Sequence, residues 1–153
     1  MDKLIVSSSD FAEGGLIPID CTGYGADHSP ELVLSGLCKD AISLAITLDD
    51  LSHLIPDFNH WVIWNISASA VIAGSIPPGA QVAALGGAFQ GIGYGRHRYR
   101  GPKPPLKRRH QYRFTVFALD AFLNLPPTAK KKELLRAMQG HILQQAELKG
   151  YYC

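Results

Sequence analysis

A chain of 153 residues, 46% hydrophobic and 18% charged, is large enough to bury one hydrophobic core and has the composition of a globular protein. The formal net charge of +2 excludes a general polycation, so the positive charge must act as a local patch. No apolar run reaches the roughly 18 residues of a membrane span, and the apolar segment at the start is too short for a secretory signal.

The cysteine content is typical of a reducing compartment. Cys21, Cys38 and Cys153 are odd in number and widely spaced, which argues against a disulfide framework and against a cysteine-based zinc site. We therefore expect a cytoplasmic protein. The chain has no internal repeat, low-complexity segment or linker, which predicts a single domain over residues 1–153.

Three segments of the first half predict strands. Leu4–Val6 is short and apolar, Ala41–Leu48 is apolar and partly β-branched, and His60–Ile66 is aromatic and β-branched. The two residues after the second segment, Asp49 and Asp50, predict an acidic turn. Alternation along the third segment is expected to place on one face His60, Val62 and Trp64.

The middle of the chain, Gly86–Phe114, is rich in glycine and proline and contains no Asp or Glu. Its basic residues are Arg96, Arg98, Arg100, Lys103, Lys107, Arg108, Arg109 and Arg113. Glycine permits a close backbone approach and proline fixes the backbone, so the turn Gly101–Pro105 is predicted to form one wall of a binding site. Most of the arginines are expected to lie outside it, as a rim or a partner face.

The last third predicts one strand and one helix. Gln111–Leu119 is the strongest strand pattern, and it places on one face His110, Tyr112, Phe114 and Val116. Ala129–Leu148 predicts a helix with an apolar stripe of Leu134, Leu135, Met138, Ile142, Leu143 and Ala146. Gly140 inside this helix indicates close packing, and Tyr151–Tyr152 predicts a short last strand. Together the elements predict a mostly β protein with a late helix.

The polar groups on these elements are those of an anion site. A protonated histidine donates from both ring nitrogens, a carboxylate behind it holds its tautomer, and a tyrosine hydroxyl adds a neutral donor. Each group also has an ordinary structural interpretation. A histidine at a strand edge is more often a surface or core residue, an Asp-Asp pair a turn, and a basic run a solvated face. Spacing along the chain does not show that the groups meet.

Several motifs resemble the phosphatidylethanolamine-binding protein family, also called Raf kinase inhibitor-like proteins, and in particular its small bacterial branch. They span nearly the whole chain: FAEGGLIP, SPEL, SLAITLDD, HWVIWNI, GYGRHRYRGPKPP, HQYRFTVFALD and LLRAMQGHILQQAELKGYY. The resemblance implies a large antiparallel sheet, a smaller sheet and peripheral helices. It also implies a pocket at the protein edge that takes phosphate, acetate, cacodylate or a phosphoethanolamine head group.

The resemblance assigns ligand-binding residues by motif. They are Asp50, His60, Gly101, Pro102, Pro104, Pro105, His110 and Tyr112. The chain departs from the family where Leu51 and Ser52 replace a proline and a second aspartate, and where Lys103 replaces a common cysteine. Further departures are Leu34 for Trp, Cys21 for Tyr and Tyr24 for Asp. The lost acid and the gained lysine should favour anions over a zwitterionic ethanolamine.

The leading hypothesis is non-enzymatic binding of a small anion or phosphorylated head group, because no G-x-S-x-G motif and no cysteine with a local base is present. One alternative is a protease or kinase inhibitor that contacts a protein partner through Arg96–Arg113. Another is a hydrolase of a phosphorylated small molecule, with a histidine held by Asp50 as general base. Bacterial relatives often pair as dimers, so a homodimer is a possible state, and the sequence does not decide it.

Nucleic-acid binding and metal binding are the weakest interpretations. The basic stretch interleaves Tyr94, Tyr99 and Tyr112, as stacking surfaces do, but the net charge is low and no nucleic-acid motif is present. A metal site would draw on four histidines whose spacing is not that of a ligand set: His53, His60, His97 and His110. We therefore expect no metal and no cofactor.

Overall fold

The computed structural model describes residues 3–153. Over this range the strands are β1 (Ile5–Ser7), β2 (Gly15–Leu16), β3 (Leu32–Ser35), β4 (Ser43–Asp50), β5 (Phe58–Ser67), β6 (Val71–Ile72), β7 (Gln81–Val82), β8 (Ala88–Gln90), β9 (His110–Leu119) and β10 (Ile142–Tyr152). The α-helix α1 is Lys131–Met138, and two short 3-10 helices are Ile19–Cys21 and Ala83–Leu85. In this part of the chain no helix is long and apolar enough to cross a membrane.

The strands form a large and a small sheet. The seven-stranded sheet has the order β2-β10-β9-β4-β5-β8-β7 and is antiparallel except where β2 runs parallel to β10. The three-stranded sheet has the order β1-β3-β6 and is antiparallel. The expected fold, mostly β with a large sheet, a smaller sheet and a helix near the C-terminus, is confirmed.

The central strands β9, β4 and β5 are buried on both faces, which explains their nearly continuous apolar and aromatic sequences. One face packs against the small sheet, and Leu44, Leu48 and Phe114 share a single core cluster with Leu4 and Leu32. The other face packs against α1 and the loop before it. The residues of that second cluster include Ala45, Val62, Trp64, Phe117, Leu123, Leu134 and Met138.

The predicted helix Ala129–Leu148 is right in its first half and wrong in its second. The helix is Lys131–Met138, and its buried residues are the predicted Leu134 and Met138. The chain then turns and pairs antiparallel with β9 over Ile142–Tyr152. The hydrogen bonds of the ladder with β9, together with the burial of Gln144, Leu148 and Gly150, outweigh the helical propensity of residues such as Leu, Gln and Glu.

Two further expectations near strand ends are wrong. Gly140 does not mark close packing, since a Cβ there would meet no atom within 4 Å; its φ of +82° shows that it reverses the chain after the helix. Asp49 and Asp50 are not a turn either, because they are the buried last residues of β4. Strand alternation therefore sends their carboxylates to opposite faces of the sheet.

Candidate functional site

A cavity of about 220 Å³ lies at the end of the large sheet where β4 ends and β5 and β9 begin. Antiparallel pairing brings these three strand ends together, with Asp50 opposite both Phe58 and Tyr112. The cavity is lined by Asp50, His53, Phe58, His60, Tyr94, Lys103, Pro104, Pro105, His110 and Tyr112. Six of the eight residues assigned by motif are therefore brought together here.

A β-bulge aims His60 into this cavity. The β4–β5 register shifts between Leu48, paired with Trp61, and Asp49, paired with Asn59, so that His60 is the extra residue. His60 consequently faces the same side as Trp61 and Tyr112. The expectation that it shares a face with Val62 and Trp64 is wrong, because these two lie in the core cluster on the other side. Bulges of this kind re-aim single side chains beside functional sites.

His60 is buried, with 4% of its surface exposed. Its Nδ1 lies 2.9 Å from the carbonyl oxygen of Arg100, and since a carbonyl oxygen only accepts, Nδ1 carries the hydrogen. The edges or faces of three aromatic rings surround it, from Phe58, Tyr94 and Tyr112, with centroids 5.2–5.6 Å away. Burial lowers the pKa of the imidazole below 6.5, against weaker opposing effects from the Arg100 carbonyl and Asp50. The ring is therefore neutral at pH 7.

Asp50 holds the second histidine. The Oδ2 of Asp50 accepts from Nδ1 of His110 at 2.8 Å, and its Oδ1 accepts from the backbone N–H of Ser52, also at 2.8 Å. Asp50 is 3% exposed, so both of its oxygens are engaged by the protein. The pair leaves Nε2 of His110 for a ligand, and that atom donates a hydrogen bond when the ring is protonated.

Tyr112 contributes a hydroxyl that stays protonated. Its side chain is almost completely buried. Burial raises the pKa of the phenol far above 10, and the charge of Asp50 adds to the shift. At neutral pH the group is therefore a neutral hydrogen-bond donor rather than a phenolate.

The turn Gly101–Pro105 divides into a lining part and a supporting part. Lys103, Pro104 and Pro105 line the cavity, whereas Gly101 and Pro102 are buried outside the lining. The backbone N–H of Gly101 donates to Oδ1 of Asp27 at 2.8 Å, and the carbonyl of Pro102 accepts from Gly23 at 2.8 Å. A hydroxyl from Tyr24 donates to the Pro104 carbonyl. The turn was predicted to form one wall of the site. Its second half, Lys103–Pro105, forms that wall, and its first half, Gly101 and Pro102, holds the turn in place through hydrogen bonds to the protein.

Gly101 cannot carry a side chain without moving the wall. A Cβ there would lie 2.2 Å from the Cys21 carbonyl oxygen and 2.7 Å from the Tyr99 hydroxyl. We expect Gly101→Ala to lower the free energy of unfolding by about 1–3 kcal/mol, as overpacking does. Gly23→Ala is the matched control, because the three atoms nearest to its Cβ all belong to the Lys103 side chain, which moves more readily than backbone. Urea unfolding of both variants checks this, and equal losses would contradict it.

Some cavity residues were absent from the sequence-based assignment. Phe58 was missed entirely, and its position as the first residue of a strand opposite Asp50 is visible only from the pairing register. His53 and Tyr94 were considered only as a metal ligand and a stacking residue. Lys103 was noted as a departure from the family, and it lies in the lining. Ser52, at the position of the lost acid, lies outside the lining and accepts from the backbone of Gln111.

Three of the four histidines of the metal hypothesis, His53, His60 and His110, line the cavity, and the fourth does not. His97 bonds the Gln90 carbonyl at 2.8 Å and is not part of the lining. Among residues 3–153, no group of three or more His, Cys, Asp or Glu side chains has a metal-binding arrangement.

The arginines of the basic stretch lie on different surfaces of the protein. The guanidinium of Arg100 stacks over Tyr94 and that of Arg109 over Tyr151, each 3.7 Å from the ring centroid. Arg113 is not a rim residue, because it lies on the opposite face of β9 and binds Asp49. The expected rim is therefore present only in part.

The lowered pKa of His60 predicts a pH dependence of stability. In the unfolded chain the ring titrates near 6.5, and in the folded protein it titrates lower. The stabilising effect of the neutral buried ring is therefore complete above pH 6.5 and is lost as the pH falls below it. We expect urea unfolding between pH 8 and 5 to show a steeper loss for the wild type than for His60→Gln. Parallel curves for the two proteins would contradict this assignment.

Comparisons with known proteins agree with this fold. A family model described as phosphatidylethanolamine-binding protein matches residues 7–153. UPF0098 protein PH1269 of Pyrococcus horikoshii is 41% identical over 147 residues, which cover 95% of this chain and 74% of the relative. A UPF0098 protein of Methanothermobacter thermautotrophicus is 38% identical, with 93% of each chain covered.

Two solved structures are similar over the full length. The phosphatidylethanolamine-binding protein homologue CT736 of Chlamydia trachomatis has a TM-score of 0.84 and 31% identity, covering 100% of this chain and 99% of its own. YbcL of Escherichia coli has a TM-score of 0.83 at 22% identity, covering 99% and 98%, which shows a shared fold. With most of its length matched by the family model and by these relatives, the chain belongs to the phosphatidylethanolamine-binding protein family.

Proposed function

We propose that this protein binds a small oxyanion, phosphate or a phosphorylated head group, in the cavity between Asp50, His60 and His110. The observation that carries the proposal is the state of Asp50. It is the one carboxylate in the lining, and both of its oxygens are already bonded to Ser52 and His110. The groups that the cavity offers to a ligand are therefore the Lys103 ammonium, imidazole nitrogens and a phenol. None of them is a free carboxylate.

The same arrangement favours the phosphate part of a ligand over an ammonium group. An ammonium would have to compete with Ser52 and His110 for the Asp50 oxygens, and Lys103 would repel it. The aromatic rings of Phe58 and Tyr94 are the remaining attraction for a cation. Phosphoethanolamine is therefore expected to bind mainly through its phosphate, with little gain from the ethanolamine.

The lining favours binding over catalysis. It contains no Ser, Thr or Cys, and its most buried phenol, Tyr112, stays protonated. Covalent catalysis needs a nucleophile activated by a neighbouring base. Purified protein is expected to leave phosphomonoesters unchanged, and turnover that is lost in His110→Ala would replace the proposal with a hydrolase. Inhibition of a kinase or a protease through the basic stretch stays a prediction.

Backbone NMR titration with inorganic phosphate tests the proposal. The amide signals of Gly101, Lys103 and His110 are expected to shift together, with one common saturation curve that fits a single binding site. Phosphoethanolamine is expected to shift the same signals. Shifts spread over the exposed lysines and arginines without saturation, or no shift at these three amides, would exclude the cavity as an anion site.

Lys103 offers a further test because its neighbour on the same loop provides a matched control. Lys103 lines the cavity, whereas Lys107 is exposed outside the lining. Lys103→Met is expected to weaken phosphate binding several-fold. It removes a nearby positive charge whose attraction to phosphate is worth about 1 kcal/mol at a partly exposed position. Lys107→Met removes the same charge from the chain and should change the affinity less than twofold. Equal effects in calorimetric titrations would show general charge attraction instead of a contact.

A further inference from the structure

His60 offers the cavity a hydrogen-bond acceptor. Its Nδ1–H is used by the Arg100 carbonyl, and the Gly101 backbone is a weaker neighbour of the same ring. In a neutral imidazole the second nitrogen carries a lone pair. The carbonyl is itself held, because the next residue, Gly101, is bonded to Asp27. The tautomer of His60 is therefore imposed by the backbone of the cavity wall.

The neighbouring histidine has the opposite tautomer. The backbone N–H of Ile55 donates to Nδ1 of His53 at 3.0 Å, so in the neutral ring of His53 the hydrogen is on Nε2. The ring of His53 is fixed further by stacking on Phe58, with centroids 4.1 Å apart. The cavity thus combines donors from His53, Lys103 and Tyr112 with an acceptor from His60. Nε2 of His110 donates when that ring is protonated and accepts when it is neutral, because its Nδ1–H is bonded to Asp50.

This mixture decides which oxyanions fit. A ligand that has only acceptor oxygens would place an oxygen lone pair against the lone pair of His60 and leave a buried acceptor unpaired. A ligand that keeps one O–H donates that hydrogen to His60 and accepts from the other groups at the same time. Sites with a buried polar group reject analogues that lack the matching hydrogen much more strongly than analogues that differ only in size.

We propose that the cavity selects hydrogen phosphate over sulfate, and that Nε2 of His60 is the atom that accepts a hydrogen bond from the ligand hydroxyl. The inference rests on the proposed function, since it assumes that an oxyanion occupies this cavity. At pH 8 the two ions form a matched pair, because both are tetrahedral and doubly charged and only hydrogen phosphate carries an O–H.

Sulfate would bind well only if His60 took up a proton, and burial opposes this step. The titratable and charged groups that line the cavity with His60, or contribute to its walls, are Asp50, His53, Tyr94, Arg100, Lys103, His110 and Tyr112. Of these only Asp50 is anionic at neutral pH, and it is paired with His110. The selectivity is therefore expected at pH 8, where His60 is neutral and the two ions carry the same charge.

Calorimetric titration at pH 8 and constant ionic strength distinguishes the outcomes. Hydrogen phosphate is expected to bind at least about tenfold more tightly than sulfate. Binding of neither ion would remove the proposed function itself. Binding of both ions with equal affinity, or tighter binding of sulfate, would keep the anion site and overturn the selectivity.

Two histidine variants assign the selectivity to one side chain. In His60→Gln the amide NH₂ provides a donor, so sulfate gains relative to phosphate and the ratio approaches one. His53→Ala is the matched control, because it removes a donor histidine from the same cavity and should keep the ratio while weakening both ions. If His60→Gln fails to fold, ¹⁵N NMR of the wild-type imidazole decides. Nε2 of His60 must lack a hydrogen at pH 8 in free and phosphate-bound protein, and a protonated Nε2 in the complex would overturn the inference.

Discussion

His110→Gln is expected to weaken phosphate binding at least about tenfold, the largest effect of any single substitution on binding in this cavity. His110 is the histidine whose Nδ1 is bonded to a carboxylate, at 2.8 Å from Asp50, so its protonated form has a counter-charge already in place. A hydrogen bond to a charged partner is worth about 1.5–3 kcal/mol, which corresponds to a tenfold to hundredfold change in affinity. The remaining donors, His53, Lys103 and Tyr112, do not replace it.

The chain contains a matched control for this substitution. His141 and Asp120 form the same contact, Nδ1 to Oδ1 at 2.8 Å, on an exposed part of the surface. His141→Gln is expected to change phosphate affinity less than twofold and to cost less than about 1 kcal/mol of stability, as exposed ion pairs do. The two variants are compared by calorimetry after their folding has been checked. An unchanged affinity in His110→Gln would remove this histidine from the site.

The central part of the site follows from local sequence patterns together with the family resemblance. Strand alternation correctly places His110 and Tyr112 on the face that lines the cavity. The same rule fails for His60, because the bulge opposite Leu48 and Asp49 inserts one extra residue. A bulge depends on how two strands pair, so a single strand sequence does not contain the information. Phe58 was missed for the same reason.

The fold, like the site, was predictable from the sequence only in part. Segments with aromatic and β-branched residues, such as His60–Ile66 and Gln111–Leu119, became central strands of nearly the predicted length. The segment Ile142–Tyr152 has helical propensity and became a strand, because β9 offered it a complete ladder of partners. Local propensity amounts to less than about 1 kcal/mol per residue, and a full set of sheet contacts exceeds it. Only Gly140, with its positive φ, carried a local signal for the change.

Asp49→Ala is expected to destabilise the protein by about 3 kcal/mol without a comparable effect on phosphate affinity. Asp49 is completely buried on the face of β4 opposite Asp50. Its Oδ2 accepts from Lys131 at 2.7 Å and from Arg113 at 3.1 Å, and its Oδ1 accepts from Asn59 at 3.1 Å. Removal of the carboxylate leaves two partly buried cations facing each other, and breaking such buried pairs costs about 3–5 kcal/mol. We expect the lower value because Arg113 and Lys131 retain some contact with solvent.

Asp57→Asn is the control for Asp49→Ala, since Asp57 binds the same arginine at 3.3 Å from an exposed position. Its loss is expected to cost less than about 1 kcal/mol. Urea unfolding followed by tryptophan fluorescence compares the two, with equal m-values required for a valid comparison. Similar costs would show that burial of Asp49 adds nothing to the pair. A large loss of phosphate affinity in folded Asp49→Ala would show that the two faces of β4 are coupled. In that case the charge network beneath the sheet would have to be counted as part of the anion site.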